Sequence, residues 1–135
     1  MSAPRLRILC VEDDPDIREI MQLALELDDS AEVQCCGAGS DALELAAHGQ
    51  FDVILLDVMM PGLDGPATLA RLREAPATTA TPVVFVTAKA TFDELKRLTG
   101  LGARGVICKP FDPTTLLERV RALLATSRLR KKAVF

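Results

Sequence analysis

Five short apolar runs, separated by segments with helical periodicity, constrain the fold of this 135-residue chain more than any other feature. The runs are rich in Val, Ile, Leu and Cys, and their apolar residues are continuous rather than alternating, which is typical of strands buried on both faces. They cover residues 6–11, 32–36, 53–56, 83–86 and 105–108. This β-α alternation predicts a doubly wound α/β fold, with a five-stranded parallel sheet between two layers of helices and right-handed crossovers.

Helix signals lie between the runs. Asp14-Pro15 is typical of an N-cap followed by a first helical residue, and Asp112-Pro113 predicts the same start for the last helix. The first helix is expected over 15–27, with an apolar stripe made of Ile17, Ile20, Met21, Ala24 and Leu27. Further helices are expected over 40–48, over 66–74, and from the capping box of Thr91 and Glu94 to about residue 99. We expect one domain over 1–126 and a flexible basic tail over 127–135.

The composition argues against several functional classes. The net charge of −3 and the sequence pI of about 5.2 lack the basic surplus of nucleic-acid binders, so no direct nucleic-acid binding is expected. No apolar run approaches the roughly 18 residues of a membrane span, so no membrane insertion is expected. Four Cys without a C-x-x-C pair and a single His argue against a zinc site. We interpret the Cys as small buried residues of a cytoplasmic protein.

Polar side chains end four of the five apolar runs. Glu12 and Asp13 follow the first run, Asp57 follows the third, Thr87 follows the fourth and Lys109 follows the fifth. The carboxyl ends of parallel strands lie along one edge of the sheet, where ligands bind. Three carboxylates, a hydroxyl and an ammonium are therefore expected to meet there, and this set suits a divalent metal and a phosphoryl group.

The acids predict a magnesium site. Mg²⁺ takes about six oxygen ligands, often one or two carboxylates together with a phosphate and several waters. Asp13 and Asp57 are the expected direct ligands, with Glu12 close by through a water and the backbone carbonyl of Met59 completing the protein's share. Asp14 is assigned to helix capping rather than to metal binding.

Asp57 is also the candidate nucleophile, because a carboxylate can attack phosphorus to give an aspartyl-phosphate. Lys109 would neutralise the phosphoryl oxygens and Thr87 would hydrogen-bond one of them. When each residue is considered alone, a strand-end Asp is most often a turn residue, a Thr is most often a helix cap, and a Lys is most often a surface charge. The joint pattern at these spacings favours the phosphoryl site over three unrelated causes.

The motifs VEDD (11–14), LLDVMMPGLDG (55–65), VTA (86–88) and KPF (109–111) together resemble the receiver domain of two-component response regulators, over about residues 5–125. The resemblance implies a flavodoxin-like strand order 2-1-3-4-5. It implies that Asp57 takes a phosphoryl group from a sensor histidine kinase or a histidine phosphotransfer protein. It also implies Mg²⁺ on Glu12, Asp13 and the Met59 carbonyl, and a cis bond between Lys109 and Pro110.

Three positions modify this expectation. Many receivers carry Tyr or Phe three residues before the Lys, and Val106 stands there in this chain, so the ring movement of the family's activation has no counterpart. The 87–92 loop and the following helix are then expected to transmit activation in another way, or activation is muted. The resemblance also implies that the residues two positions after Asp57 and Thr87 influence how easily water reaches the phosphoryl group, and these are Met59 and Lys89. Since Met59 supplies no group to orient a water, we expect slow self-dephosphorylation.

Several functions fit the pattern. A stand-alone receiver signals through altered protein contacts, passes the phosphoryl group on as a phosphorelay intermediate, or serves as a phosphate sink; in each case it catalyses only its own phosphorylation and dephosphorylation. The chain could also be a piece of a larger regulator, or a docking module that is no longer phosphorylated. A remote alternative is an Asp-nucleophile phosphohydrolase, which needs a second acid where Met59 stands. The kinase is expected to dock on helix 15–27 and the loop after Lys109, and the downstream target is unassigned.

Overall fold

A computed structural model describes the backbone of residues 5–133 and the side chains of residues 5–125. The strands are β1 (Leu6–Val11), β2 (Ala31–Cys36), β3 (Val53–Asp57), β4 (Val83–Thr87) and β5 (Gly105–Cys108). The helices are α1 (Pro15–Leu25), α2 (Gly39–His48), α3 (Gly65–Glu74), α4 (Phe92–Gly100) and α5 (Leu116–Ala133). All strand pairs are parallel and the sheet order is β2-β1-β3-β4-β5, which confirms the predicted fold and topology.

Each face of the sheet is covered by its own helices. Alternate strand residues point to opposite faces, so Ile8 and Cys10 join one core cluster while Leu9 and Val11 join the other. The first cluster is closed by α1 and α5, and the second by α2, α3 and α4. Because every residue of β3 and β4 is buried, the continuous apolar runs found in the sequence correspond to the centre of the sheet.

Helix α1 begins as expected but presents a different face to the core. The Asp14 carboxylate accepts hydrogen bonds from the backbone N–H groups of Asp16 (2.9 Å) and Ile17 (3.3 Å), which confirms its capping role. The helix ends at Leu25 rather than at residue 27. The expected stripe was therefore partly wrong: Leu25 is buried, whereas Ile20 is 46% and Leu27 65% exposed.

Helix α5 begins three residues later than the Asp112-Pro113 pair suggested. The Asp112 carboxylate accepts a hydrogen bond from the Thr114 backbone N–H (2.9 Å), and its carbonyl accepts one from the Thr115 N–H (3.1 Å). Asp112 thus closes a turn ahead of the helix instead of capping it. Helix α5 continues to Ala133, and since the side chains from residue 126 onward lie outside the described residues, the proposed tail over 127–135 stays a prediction.

The cysteines are all free thiols. Cys10 is fully buried, while Cys35 and Cys36 are half-buried and pack against opposite core clusters, as expected for neighbours on a strand. The Cys36 thiol is partly removed from water, which raises its pKa to about 11. Within residues 5–133, no helix combines the length and apolar character needed to cross a bilayer.

Candidate functional site

The sheet brings the predicted site residues to one edge. Asp57 and Thr87 are the last residues of β3 and β4, and Glu12, Asp13 and Lys109 directly follow β1 and β5. Carboxylate oxygens of Glu12, Asp13 and Asp57 all lie within 4.8 Å of one another. The Lys109 ammonium lies 2.6 Å from Glu12 Oε1 and 3.2 Å from Asp57 Oδ1. The expected cluster of three acids and one base is therefore present.

Burial controls the charge of this cluster. Glu12 is 1% and Asp57 4% exposed, whereas Asp13 is only partly buried. Two causes raise the pKa of Asp57 to about 7: burial contributes most, and the neighbouring Glu12 contributes next. Lys109 offsets only part of this rise. Burial lowers the pKa of Lys109, but the ion pairs with Glu12 and Asp57 outweigh it and leave that pKa above its usual value. Asp57 thus needs further positive charge to stay fully ionised near neutral pH.

Glu12 is held through both its backbone and its side chain. Its N–H donates to the carbonyl of Cys36 (3.1 Å), and its Oε2 accepts from the backbone N–H of Asp14 (3.2 Å). The Arg18 guanidinium donates to the Glu12 carbonyl (2.9 Å). The sequence pattern did not identify Arg18 as part of the site. In the sequence, Arg18 is only a basic residue one turn into the helix that follows the acidic pair. Glu12 Oε1 is buried, and its charged partner is the Lys109 ammonium at 2.6 Å.

The loop after Asp57 folds tightly around the site. Gly62 has a φ of +74°, a conformation that favours glycine, and the Asp64 side chain caps α3 by accepting from the N–H of Ala67 (2.8 Å). At Gly65, a Cβ atom would lie 2.5 Å from the Asp57 carbonyl oxygen. The glycine therefore allows α3 to start directly against the end of β3, which explains the spacing of the PGLDG segment.

Comparison with known proteins identifies this arrangement. The family model described as the response regulator receiver domain matches residues 8–121. The chain belongs to this family. Receiver domains are signalling domains of two-component systems rather than enzymes in the usual sense, and they bind Mg²⁺ at an acidic pocket.

Relatives of this receiver are longer than the chain. It is 41% identical over 125 residues to the transcriptional regulatory protein DltR of Streptococcus agalactiae, covering 92% of the chain and 54% of that protein. It is 41% identical over 131 residues to the transcriptional activator protein PfeR of Pseudomonas aeruginosa, covering 96% of the chain and 41% of that protein. The chain thus spans about half the length of such curated relatives.

Solved receiver structures match the whole fold. The chemotaxis response regulator CheY4 of Vibrio cholerae superposes with a TM-score of 0.81 at 30% identity, covering 88% of this chain and 98% of that one. A putative response regulator from Chloroflexus aurantiacus gives a TM-score of 0.81 at 31% identity, covering 91% and 99%. The flavodoxin-like fold implied by the sequence motifs is therefore confirmed.

The acidic cluster of this receiver fits Mg²⁺. The ion binds oxygens at about 2.0–2.1 Å, so opposite ligands of its octahedron lie about 4.2 Å apart. The carboxylate oxygens of the cluster lie within 4.8 Å of one another, which is close to this distance between opposite ligands. All three groups are carboxylates, which supply the oxygen ligands that Mg²⁺ prefers. The Met59 side chain is 78% exposed, and the role of its carbonyl stays a prediction.

Thr87 is the last residue of β4, and Val106 lies on the neighbouring strand β5. The Thr87 hydroxyl accepts a hydrogen bond from the Lys89 backbone N–H (3.0 Å), so it is engaged with the β4–α4 loop. Val106 is half-buried and packs into the second core cluster, where it pairs with Phe85 across the β4–β5 register. The first residue of α4, Phe92, is 78% exposed. The predicted cis bond between Lys109 and Pro110 is present.

Proposed function

We propose that this receiver accepts a phosphoryl group on Asp57 from a phosphohistidine of a sensor histidine kinase or a histidine phosphotransfer protein. Mg²⁺ would be held by Glu12, Asp13 and Asp57, with the Met59 carbonyl as a further oxygen. The observation that carries the proposal is the buried Asp57 carboxylate, which shares one pocket with two other acids and lies 3.2 Å from the Lys109 ammonium.

Asp57 attacks in its ionised form. One carboxylate oxygen forms a bond to phosphorus as the phosphorus–nitrogen bond of the phosphohistidine breaks, and the ring nitrogen keeps the electron pair of that bond. When bound, Mg²⁺ supplies positive charge that keeps the carboxylates ionised and neutralises the phosphoryl oxygens. Lys109 turns from the carboxylates to a phosphoryl oxygen, and the Thr87 hydroxyl donates to another.

The surface beside the site suits a helical phosphodonor. An apolar groove of about 420 Å³ is lined by Ile17, Ile20, Ala88, Pro110, Phe111 and the stem of Lys109, among others. Helix α1 continues this surface with the exposed Leu23. Because the groove contains Lys109, an apolar helix face seated in it brings a phosphohistidine close to Asp57. This supports kinase docking on α1 and the loop after Lys109.

Signalling follows from a change in the Thr87 hydrogen bond. A phosphoryl group adds about −1.5 to −2 charges at neutral pH. When the Thr87 hydroxyl turns toward it, the Lys89 N–H loses its acceptor and the β4–α4 loop is free to rearrange. Since Val106 cannot reproduce an aromatic ring movement, we assign the altered protein contacts to this loop and to the exposed Phe92 at the start of α4.

A larger transcriptional regulator is the second candidate context. Its support is that the chain spans about half of relatives described as transcriptional regulators. The intact mass of the protein isolated from its own cells separates the two contexts. A mass of 14.6 kDa favours a phosphorelay intermediate, an adaptor or a phosphate sink, and a mass near twice that value favours a regulator with a further domain.

The test of the phospho-acceptor function uses acetyl phosphate as donor and intact mass as readout. We expect one added phosphoryl group in the presence of Mg²⁺, and none with EDTA or in Asp57→Asn. Asp13→Asn should require much more Mg²⁺ for the same extent of reaction. If the folded wild type binds Mg²⁺ but gains no phosphoryl group from acetyl phosphate or from phosphoramidate, a docking module replaces the phospho-acceptor.

A further inference from the structure

Arg18 connects helix α1 to the backbone of the acidic pair. Its backbone N–H donates to the Asp14 carbonyl (2.9 Å) as part of the first helical turn. Its half-buried side chain turns back toward the sheet, where Nη1 donates to the Glu12 carbonyl at 2.9 Å. The guanidinium therefore bridges the helix and the end of β1, at the point where the chain presents its acids.

The Glu12 carbonyl belongs to the same peptide unit as the N–H of Asp13. Since a peptide unit is planar, fixing the direction of this carbonyl also fixes the position of the Asp13 Cα atom. The other end of Glu12 is already fixed by its N–H bond to Cys36 (3.1 Å). Arg18 thus restrains the half of the segment that leads to Asp13, whose own side chain is only partly buried.

Gly37 provides the room for this contact. It lies in the connection between β2 and α2, and a Cβ atom there would lie 2.8 Å from Arg18 Nη1 and 3.8 Å from the Glu12 carbonyl oxygen. The first contact is with the end of a flexible side chain, so an added methyl group would displace the guanidinium rather than the backbone. Replacing Gly37 by Ala therefore disturbs the Arg18 contact while keeping the arginine and its charge.

We propose that Arg18 is a positioning residue, which holds the Glu12–Asp13 peptide so that the Asp13 carboxylate faces Asp57 and is preorganised for Mg²⁺. This inference rests on the proposed Mg²⁺-dependent function of the acidic cluster. It assigns Arg18 no contact with the metal or with the phosphoryl group. Groups that orient metal ligands typically change metal affinity by about 10–100-fold when they are removed.

The sign of the effect separates positioning from simple electrostatics. Removing a positive charge near a cation site favours binding of Mg²⁺, because like charges repel. Removing a positioning contact weakens binding, because Asp13 then has to be ordered by the ion. We expect Arg18→Ala to weaken Mg²⁺ binding about tenfold. Arg18→Lys should recover part of the loss, because its ammonium can donate to the Glu12 carbonyl, and Gly37→Ala should give a smaller loss in the same direction.

The experiment is a calorimetric titration of the folded full chain with Mg²⁺ alone, accompanied by thermal melts in EDTA. Glu19→Ala changes an exposed neighbour of Arg18 on α1 and is the matched control. Because solvent and salt screen the charge of Glu19, this change should leave the affinity nearly unchanged. In metal-free protein, the backbone amide resonance of Asp13 should shift in Arg18→Ala and Gly37→Ala but not in Glu19→Ala. A double-mutant cycle with Asp13→Asn should be non-additive, because both changes act on one ligand.

Each outcome has a distinct meaning. Unchanged or tighter Mg²⁺ binding in Arg18→Ala and Gly37→Ala, with wild-type binding intact, would overturn the role of Arg18 and leave the proposed function standing. If Arg18→Ala fails to fold, Gly37→Ala and Arg18→Lys decide by the same criterion. A wild-type protein that binds no Mg²⁺ would instead overturn the proposed function, and the role of Arg18 with it.

Discussion

Replacing Asp57 by Asn should stabilise the metal-free protein above pH 7, although it removes the proposed phospho-acceptor. Burial and the neighbouring Glu12 raise the pKa of Asp57 from 3.8 to about 7, so the folded state resists ionisation of this carboxyl group. At about 1.4 kcal/mol per pKa unit, the full rise corresponds to about 4 kcal/mol. Water reaches the edge of the site beside the partly exposed Asp13, so we expect roughly half, about 2 kcal/mol.

The pH dependence follows from the two protonation states. Below about pH 4, Asp57 is protonated in the folded and the unfolded chain, and it adds no difference. Between about pH 4 and 7 the unfolded chain ionises while the folded chain keeps its proton, so wild-type stability falls as the pH rises. Above pH 7 both states are ionised and the penalty is complete. The advantage of Asp57→Asn should therefore be absent near pH 4 and reach its maximum above pH 7.

Urea unfolding in EDTA at pH 4.5 and pH 8 measures this difference. Circular dichroism is the suitable probe, since the chain contains no Trp or Tyr. Asp13→Asn is the matched control: it removes the same charge from a partly exposed acid and should stabilise less. Mg²⁺ at a hundred times its Kd should stabilise the wild type by about 2.7 kcal/mol. The wild type should then be more stable than Asp57→Asn. Equal or lower stability of Asp57→Asn at pH 8 in EDTA would refute the reasoning.

Three further predictions concern neighbouring positions. Lys109→Gln should lower the free energy of unfolding by about 2 kcal/mol at pH 8 in EDTA, because two buried carboxylates lose their ammonium partner; equal urea midpoints would contradict this. Gly65→Ala should cost about 2–3 kcal/mol in thermal melts, since its Cβ meets the backbone of Asp57, whereas Gly100→Ala, with no atom within 4 Å, should be neutral or slightly stabilising. Met59→Asn should shorten the phosphoryl lifetime several-fold, read by intact mass after donor removal; a wild-type half-life of seconds without a partner would contradict the slow decay expected for Met59.

The sequence was sufficient to predict the parallel sheet and the clustering of the site residues at one edge, because both follow from simple rules. Continuous apolar runs indicate buried parallel strands, and polar residues at their carboxyl ends must share an edge. The resemblance added the strand order and the cis bond before Pro110. None of these inferences requires knowledge of how particular side chains pack.

The sequence could not predict a side-chain contact where more than one local structure fits the same residue pattern. The stripe over 15–27 fitted Leu27 as well as Leu25, and the end of α1 at Leu25 decided between them. The Asp112-Pro113 pair fits a helix start or a turn, and the bond from Thr114 selects the turn. The contact of Arg18 with Glu12 depends on the path of β2 and the space at Gly37, which no local pattern records.

The charge balance of the site links its stability to its proposed function. Three carboxylates, those of Glu12, Asp13 and Asp57, face the Lys109 ammonium. When all three are ionised, the metal-free site carries an excess of negative charge that a proton on Asp57 or a divalent cation can relieve. A proton would abolish the nucleophile, whereas Mg²⁺ preserves it. Lys109 then becomes free to leave Glu12 and meet the phosphoryl group. Under the proposed function, the arrangement that makes the metal-free fold less stable would also make a divalent cation a condition for phosphorylation. The unfolding and the phosphorylation experiments should then show the same dependence on Mg²⁺.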